Sequence, residues 1–185
     1  MKFVANEYKN RTMGKIKLSI ILFATIALST ACLKVERVSE IPSIEFISFE
    51  IFDTITSGLG NNSKAGRLKF RFEDGDGDIG IPYTTEEINL EMFLYRKKDG
   101  VMQLVTDSDP LLQHSGYSIP YLQKIGQSKV LRGEIIILML YDFYIPNIAD
   151  TIKYSFFITD RAGNNSNIEE TAEIIVAENN VYKKE

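Results

Sequence analysis

The stretch Ile152-Lys-Tyr-Ser-Phe-Phe-Ile-Thr159 is the part of the sequence that best indicates the fold. Every second residue from Ile152 to Ile158 is apolar, and the residues between them are mostly polar. Successive side chains of a β-strand point to opposite faces, so this alternation is typical of a strand with one buried face. The stretch therefore predicts a β-strand that covers a hydrophobic core.

The same pattern recurs earlier in the chain. Leu68, Phe70 and Phe72 alternate with basic residues and predict a second strand with one face in water. Residues 44–55 also alternate, but the phase slips by one residue between Phe46 and Ile47. A slip of one residue would turn the buried face outward, so we expect a β-bulge or a change of sheet at this point.

Further strands follow on either side of clear turn signals. Residues 90–96 and 101–105 flank Asp99-Gly100, a pair that favours the positive φ angles of a tight hairpin. The strongly apolar residues 130–141 predict a central strand, and residues 172–176 predict the last one. Residues 57–66 and 106–127 are rich in loop-forming residues. About seven strands without helical periodicity predict an all-β fold, an antiparallel β-sandwich, with a closed barrel as the alternative.

The turn after Thr159 supports the sandwich. The residues Asp160-Arg-Ala162-Gly163-Asn164-Asn-Ser166 follow the strand that begins at Tyr154. Strand and turn together resemble the late strand and turn of bacterial immunoglobulin-like domains. The resemblance covers residues 154–176 and implies an immunoglobulin-like β-sandwich.

The beginning of the chain has the layout of an export signal. Lys15 and Lys17 precede the apolar residues 18–28, which are too few to span a bilayer but suit the core of a signal peptide. Leu28-Ser-Thr-Ala-Cys32 then resembles the lipobox of bacterial lipoproteins, with Ser29 where that motif usually has leucine. The resemblance implies cleavage before Cys32 and acylation of Cys32, for example with palmitate. A signal peptide without lipidation is the alternative.

These observations divide the chain into four parts. Residues 1–31 are the predicted lipoprotein signal peptide, and residues 32–42 are the lipidated cysteine with a short tether. Residues 43–178 form the predicted sandwich, and residues 179–185 are a polar tail. Translation could begin at Met1 or at Met13. Several acyl chains make a stable membrane anchor, so lipidation predicts attachment to a membrane.

Composition excludes several classes of function. Residues 32–185 contain 16 basic and 24 acidic side chains, a net charge of −8, which argues against nucleic acid as a partner. Cys32 is the only cysteine, so its lipidation would leave no thiol for a disulfide, a nucleophile or a zinc ligand. His114 is the only histidine and lies in a polar stretch, where a solvated loop histidine is expected.

The loop Asp74-Gly-Asp76-Gly-Asp78-Ile-Gly80 is the sharpest candidate for a metal site. Carboxylates on every second residue of a tight loop can point inward together, and Ca²⁺ takes six to eight oxygen ligands. The spacing does not fit an EF-hand, since Ile79 and Thr85 occupy its glycine and glutamate positions. We predict Ca²⁺ on Asp74, Asp76 and Asp78, with Asp160 as a fourth ligand if the two loops share one end. A solvated turn is the alternative.

The combination of motifs has a broader resemblance. A lipobox, a Phe-x-Phe strand that leads into Asp-Gly-Asp-Gly-Asp-Ile-Gly, and a late Asp-Arg-Ala-Gly-Asn turn occur in this order. Together they look like a group of Gram-negative outer-membrane lipoproteins of uncharacterised activity. The resemblance implies an outer-membrane address, with the periplasmic or cell-surface side left open, and an immunoglobulin-like fold. It implies no activity.

We therefore expect a lipid-anchored, non-catalytic binding or structural module, with the ligand undetermined. One alternative is a glycan-binding accessory lipoprotein of a polysaccharide-uptake system, in which exposed aromatic rings stack on sugars. Its candidate residues are Tyr117, Tyr121, Tyr141, Phe143 and Tyr144. The second alternative is a hydrolase that uses paired carboxylates such as Glu86, Glu87 and Asp142. A surface protein is a further possible partner.

Overall fold

The computed structural model describes residues 38–55, 60, 62–82, 87–105, 116–122, 129–141 and 151–184, and Tyr141 through its backbone only. These residues form ten strands and no helix, so they include no helical segment able to cross a membrane. The predicted all-β fold is confirmed. The strands are β1 Ser43–Ile55, β2 Asn62–Asp74, β3 Leu90–Lys98, β4 Val101–Leu104, β5 Gly116–Tyr117, β6 Leu131–Tyr141, β7 Thr151–Ile158, β8 Glu169–Glu170, β9 Ile174–Ile175 and β10 Asn180–Lys183.

The strands are arranged in two antiparallel sheets. The first has the order β10-β1-β2-β6, and the second has the order β4-β3-β7-β8, with β5 also paired to β3 and β9 to β7. The orders β1-β2-β6 and β4-β3-β7-β8 follow the A-B-E and C′-C-F-G orders of immunoglobulin sandwiches. Among the described residues no strand takes the D position. In such sandwiches the loops after strands B and F lie at the same end, which here brings the loops after β2 and β7 together.

The core lies between the sheets and is built largely from the predicted alternating residues. Phe70 of β2 and Phe156 of β7 are fully buried, with ring centroids 5.3 Å apart. Phe49 of β1 and Tyr154 of β7 stack at 5.5 Å. Each pair joins one sheet to the other. β2 and β7, both predicted from their alternating apolar residues, therefore face each other across the core.

Two local predictions are confirmed. The register between β1 and β2 shifts between Phe46 and Ser48, so the predicted slip is a bulge, and it keeps both Phe46 and Phe49 buried. Asp99 and Gly100 have φ angles of 53° and 81° and form the two-residue turn between Lys98 and Val101. Positive φ at both positions is what a tight hairpin turn of this kind needs.

Three expectations need correction. Residues 62–66, expected in a loop, belong to β2: all five pair with β1, and residues 64–66 also pair with β6. β6 is the last strand of its sheet in the described part of the chain, and its outward side chains Ile136, Leu138 and Leu140 are exposed. The predicted polar tail, residues 179–185, contains β10, which pairs with β1, so the sandwich extends beyond residue 178.

The chain joins the sandwich earlier than the predicted boundary at residue 43. The carbonyl oxygen of Ser39 accepts a hydrogen bond of 2.8 Å from the amide of Gly75. A Cβ atom built on Gly75 would lie within 3.0 Å of Ser39 and Val38 carbonyl oxygens. Residues 38 and 39 therefore lie directly against the loop after β2.

Candidate metal site in the loop after β2

The three aspartates of the acidic motif lie at the point where β2 leaves its sheet. β2 ends at Asp74, and Asp76 and Asp78 follow it in the loop that leads to β3. Gly77 has a φ angle of 67°, a conformation that costs glycine little and that most residues avoid. The glycine spacing thus lets the backbone curl so that alternate carboxylates turn toward one another.

The structure brings the three carboxylates together. One oxygen from each of Asp74, Asp76 and Asp78 lies within 4.8 Å of the others, an arrangement that could hold a metal ion. Asp74 has 0% of its surface exposed, and its Oδ2 accepts a 2.8 Å hydrogen bond from the amide of Asp78. Among the described residues, no donor reaches the buried Oδ1 atom of Asp74 or of Asp78. Buried carboxylate oxygens without donors are costly unless a cation balances them.

The electrostatics of the cluster agree with its geometry. The pKa of Asp74 is raised to about 6, mainly by burial and in smaller part by the charges of Asp76 and Asp78, while the hydrogen bond from the Asp78 amide opposes the rise. Burial also raises the pKa of Asp78, followed by the charge of Asp160. Without a cation, the cluster therefore disfavours the ionised carboxylates that a metal needs, and a bound cation would reverse this preference.

The turn after β7 holds the acidic loop from the other side. The amide of Ala162 donates to Oδ2 of Asp78 at 3.1 Å, and the amide of Arg161 donates to the Asp78 carbonyl oxygen at 3.3 Å. The two loops do share one end of the sandwich, as expected. Both of these backbone hydrogen bonds end on the same aspartate, Asp78.

Asp160 stands beside the cluster with its carboxylate engaged in its own turn. Its Oδ1 accepts a hydrogen bond of 2.7 Å from the amide of Asn164, and its Oδ2 accepts one of 2.8 Å from the Asn164 side chain. It is near enough to raise the pKa of Asp78 by its charge. In this structure Asp160 fixes the turn that supports Asp78, and the group of facing carboxylates consists of Asp74, Asp76 and Asp78.

Arg161 is a further residue of this end that the sequence analysis missed. Its Nη1 atom donates to the carbonyl oxygen of Gly80 at 2.9 Å, and its guanidinium lies 4.9 Å from the centre of the Tyr121 ring. An arginine in a turn carries no spacing signal that would reveal these contacts. Arg161 therefore braces the end of the acidic loop against an aromatic ring.

A third segment closes the site. The amide of Tyr121 donates to the carbonyl oxygen of Ile81 at 2.8 Å, and the amide of Ile81 donates to the carbonyl oxygen of Ile119 at 3.0 Å. Gly80 has a φ angle of 91°, and a Cβ there would lie within 3.0 Å of the Pro120 carbonyl. The acidic loop is thus held by Ser39, by the turn after β7 and by residues 119–121.

The other candidate residues are spread over the chain. Tyr117 is half-buried, with burial raising its pKa, and Tyr121 is 47% exposed beneath Arg161. Glu87 is exposed. The remaining candidates lie outside the described residues, or for Tyr141 outside the described side chains: Cys32, Glu86, His114, Tyr141, Asp142, Phe143 and Tyr144. The glycan and hydrolase alternatives therefore stay predictions.

Comparisons with known proteins found no relative of this chain. Neither a family model, nor a curated protein, nor a solved structure matches this chain. The class that fold and site define is thus an antiparallel β-sandwich with a carboxylate cluster enclosed at one end.

Proposed function

We propose that this chain is a lipid-anchored, non-catalytic module at the outer membrane, and that Ca²⁺ bound by Asp74, Asp76 and Asp78 holds one end of its sandwich rigid. The observation that supports the metal is the buried Asp74, which lies beside two further carboxylates and whose Oδ1 has no donor among the described residues. The module serves to bind or to space a partner at the membrane surface.

The chemistry of the cluster favours Ca²⁺ over other common ions. Ca²⁺ accepts oxygen ligands in flexible geometry, whereas Mg²⁺ requires near-ideal octahedral geometry and usually keeps several waters. Zn²⁺ in structural sites is held mainly by cysteine and histidine, and the cluster contains neither. Carboxylates from one tight loop, supplemented by carbonyl oxygens or water, suit Ca²⁺ best.

A structural role fits the burial of the ligand atoms better than a catalytic one. The Oδ1 atoms of Asp74 and Asp78 are buried, so an ion between them would be shielded from a substrate. Such an ion would fix Asp78, and through it the turn after β7. We therefore propose that the ion stabilises the conformation of this loop. That the chain is not an enzyme is proposed separately, because it has few catalytic side chains.

Calcium titration tests the metal. We expect the purified protein to bind Ca²⁺ by calorimetry, and its melting temperature to rise with Ca²⁺ more than with equal Mg²⁺. At a Ca²⁺ concentration 100 times Kd, linkage predicts about 2.7 kcal/mol of added stability. The variant Asp76→Asn should lose the response, while Asp99→Asn, in the exposed β3–β4 turn, should keep it. The absence of any shift at millimolar Ca²⁺ would contradict the proposal.

Fractionation tests the anchor. The full chain should be found in the outer-membrane fraction, and mass spectrometry should detect acyl chains on Cys32. The variant Cys32→Ser should lose the acyl chains and leave that fraction. A wild-type protein recovered without acyl chains would contradict this part of the proposal and leave the calcium part standing.

A further inference from the structure

The point where the chain joins the sandwich lies at the end that carries the Asp74–Asp78 loop, which is the proposed metal-bearing end. Ser39 is hydrogen-bonded to Gly75, the residue after Asp74. From there the chain leads into β1, whose first residue, Ser43, pairs with Glu73 next to the acidic motif. β1 then runs away from that end to Ile55, which pairs with Asn62. Residues 38 and 39 and the aspartates are therefore at one end of the sandwich, and the β3–β4 turn is at the other.

The distance from the anchor to that end is short. This inference rests on the proposed lipidation of Cys32, which lies six residues before Val38. Six residues span at most about 20 Å when fully extended. β1 has 13 residues, and at about 3.3 Å per residue it is about 40 Å long. The metal-bearing end thus stays within about 20 Å of the anchor, whereas the opposite end is free to reach about 60 Å.

The described surface at the metal-bearing end suits lipid headgroups. Arg161 is exposed and held over Tyr121 by its bond to Gly80, so a cation and an aromatic ring are fixed side by side. A guanidinium matches the geometry of phosphate oxygens, and tyrosine rings favour the headgroup level of a bilayer. A Ca²⁺ ion in the cluster would offset the acidic charge that an anionic bilayer repels.

We propose that the loop end formed by the Asp74–Asp78 loop, Tyr121 and Arg161 faces the bilayer and contacts the phosphates of phospholipid headgroups. The β3–β4 turn then points away from the membrane. This orientation leaves the far end of the sandwich for any protein or glycan partner.

Fluorescence probes on a single free thiol test the orientation. The acylated chain is purified with Cys32 verified by mass spectrometry, labelled at Ala162→Cys or, as the matched control, Lys98→Cys, and placed in phosphatidylethanolamine–phosphatidylglycerol vesicles with nitroxide-labelled headgroups. Both positions are exposed, one at each end. With Ca²⁺ present, we expect quenching at residue 162 to exceed quenching at residue 98 several-fold. Equal or reversed quenching would overturn the inference.

Two further readings separate the causes of failure. A chain without acyl groups on Cys32 would overturn both the proposed anchor and this inference, whereas equal quenching of an acylated chain overturns the inference alone. In the Ala162→Cys background, Arg161→Gln should reduce the quenching and Arg161→Lys should largely retain it. Unchanged quenching in Arg161→Gln would overturn the headgroup contact.

Discussion

Replacing Asp74 with asparagine should have opposite consequences with and without Ca²⁺. At neutral pH without metal, the wild-type protein keeps a buried carboxylate whose pKa is raised from 3.8 to about 6. A shift of about two pKa units corresponds to about 3 kcal/mol of unfavourable ionisation. Asparagine keeps the oxygen that accepts the Asp78 amide and carries no charge. We expect Asp74→Asn to raise the free energy of unfolding by about 1–3 kcal/mol in EDTA.

In excess Ca²⁺ the wild-type protein should be more stable than Asp74→Asn, because asparagine is a weaker ligand and the site loses a negative charge. Urea unfolding of both proteins, in EDTA and in excess Ca²⁺ at pH 7.5, measures the four free energies. The matched control is Asp53→Asn, since Asp53 is exposed and paired with Lys64 at the far end of β1. It should keep the full calcium response. A lower stability of Asp74→Asn in EDTA, or an undiminished calcium response, would refute the reasoning.

Three further predictions concern pH, the core and the loop contacts. Because the pKa of Asp74 is raised in the folded state, this group's contribution to the stability of the metal-free protein should fall as pH rises from 4 to 7. Urea unfolding should therefore show a flatter pH dependence of stability for Asp74→Asn than for the wild-type protein. Equal slopes of the two proteins would contradict this. Phe70→Ala should lower the free energy of unfolding by about 3–5 kcal/mol, since Phe70 is fully buried against Phe156; a loss below about 1 kcal/mol would contradict the packing. Gly80→Ala should weaken Ca²⁺ binding in calorimetry, because the new Cβ atom would collide with the Pro120 carbonyl and φ is positive at this position. Gly163→Ala also has a positive φ but open space around the Cβ atom, so it should strain its turn without such a collision. Equal Ca²⁺ affinities of Gly80→Ala and the wild-type protein would contradict this.

The sequence predicted those features that depend on local alternation or on a demanding turn. The bulge at Ile47 follows from a one-residue phase slip, and the hairpin follows from Asp99-Gly100. Both are properties of neighbouring residues. The Asp74–Asp78 cluster was predictable for the same reason, since its ligands lie on alternate residues of one loop.

Features that depend on distant partners were not predictable in this way. β6 is apolar on both faces, which is typical of a central strand, yet in the described part of the chain it is an edge strand. β10 is polar, but its pairing with β1 holds it in place, and the Tyr182 hydroxyl donates to the carbonyl oxygen of Ile175 and accepts from the amide of Ile175. Asp160 accepts hydrogen bonds within its own turn, whereas Arg161 contacts residues of other loops. Sequence spacing alone does not distinguish these two roles.

The pairing of β10 with β1 has a consequence for how the chain folds. Among the described residues β1 is the first strand and β10 the last, so one side of β1 gains its partner only when residues 180–183 are available. Contacts between such distant segments slow folding, because a long loop must close before they form. During the proposed export, delivery of the chain from its amino terminus would leave β1 with an exposed edge. We expect a chain truncated before residue 180 to aggregate more readily during refolding than the full chain.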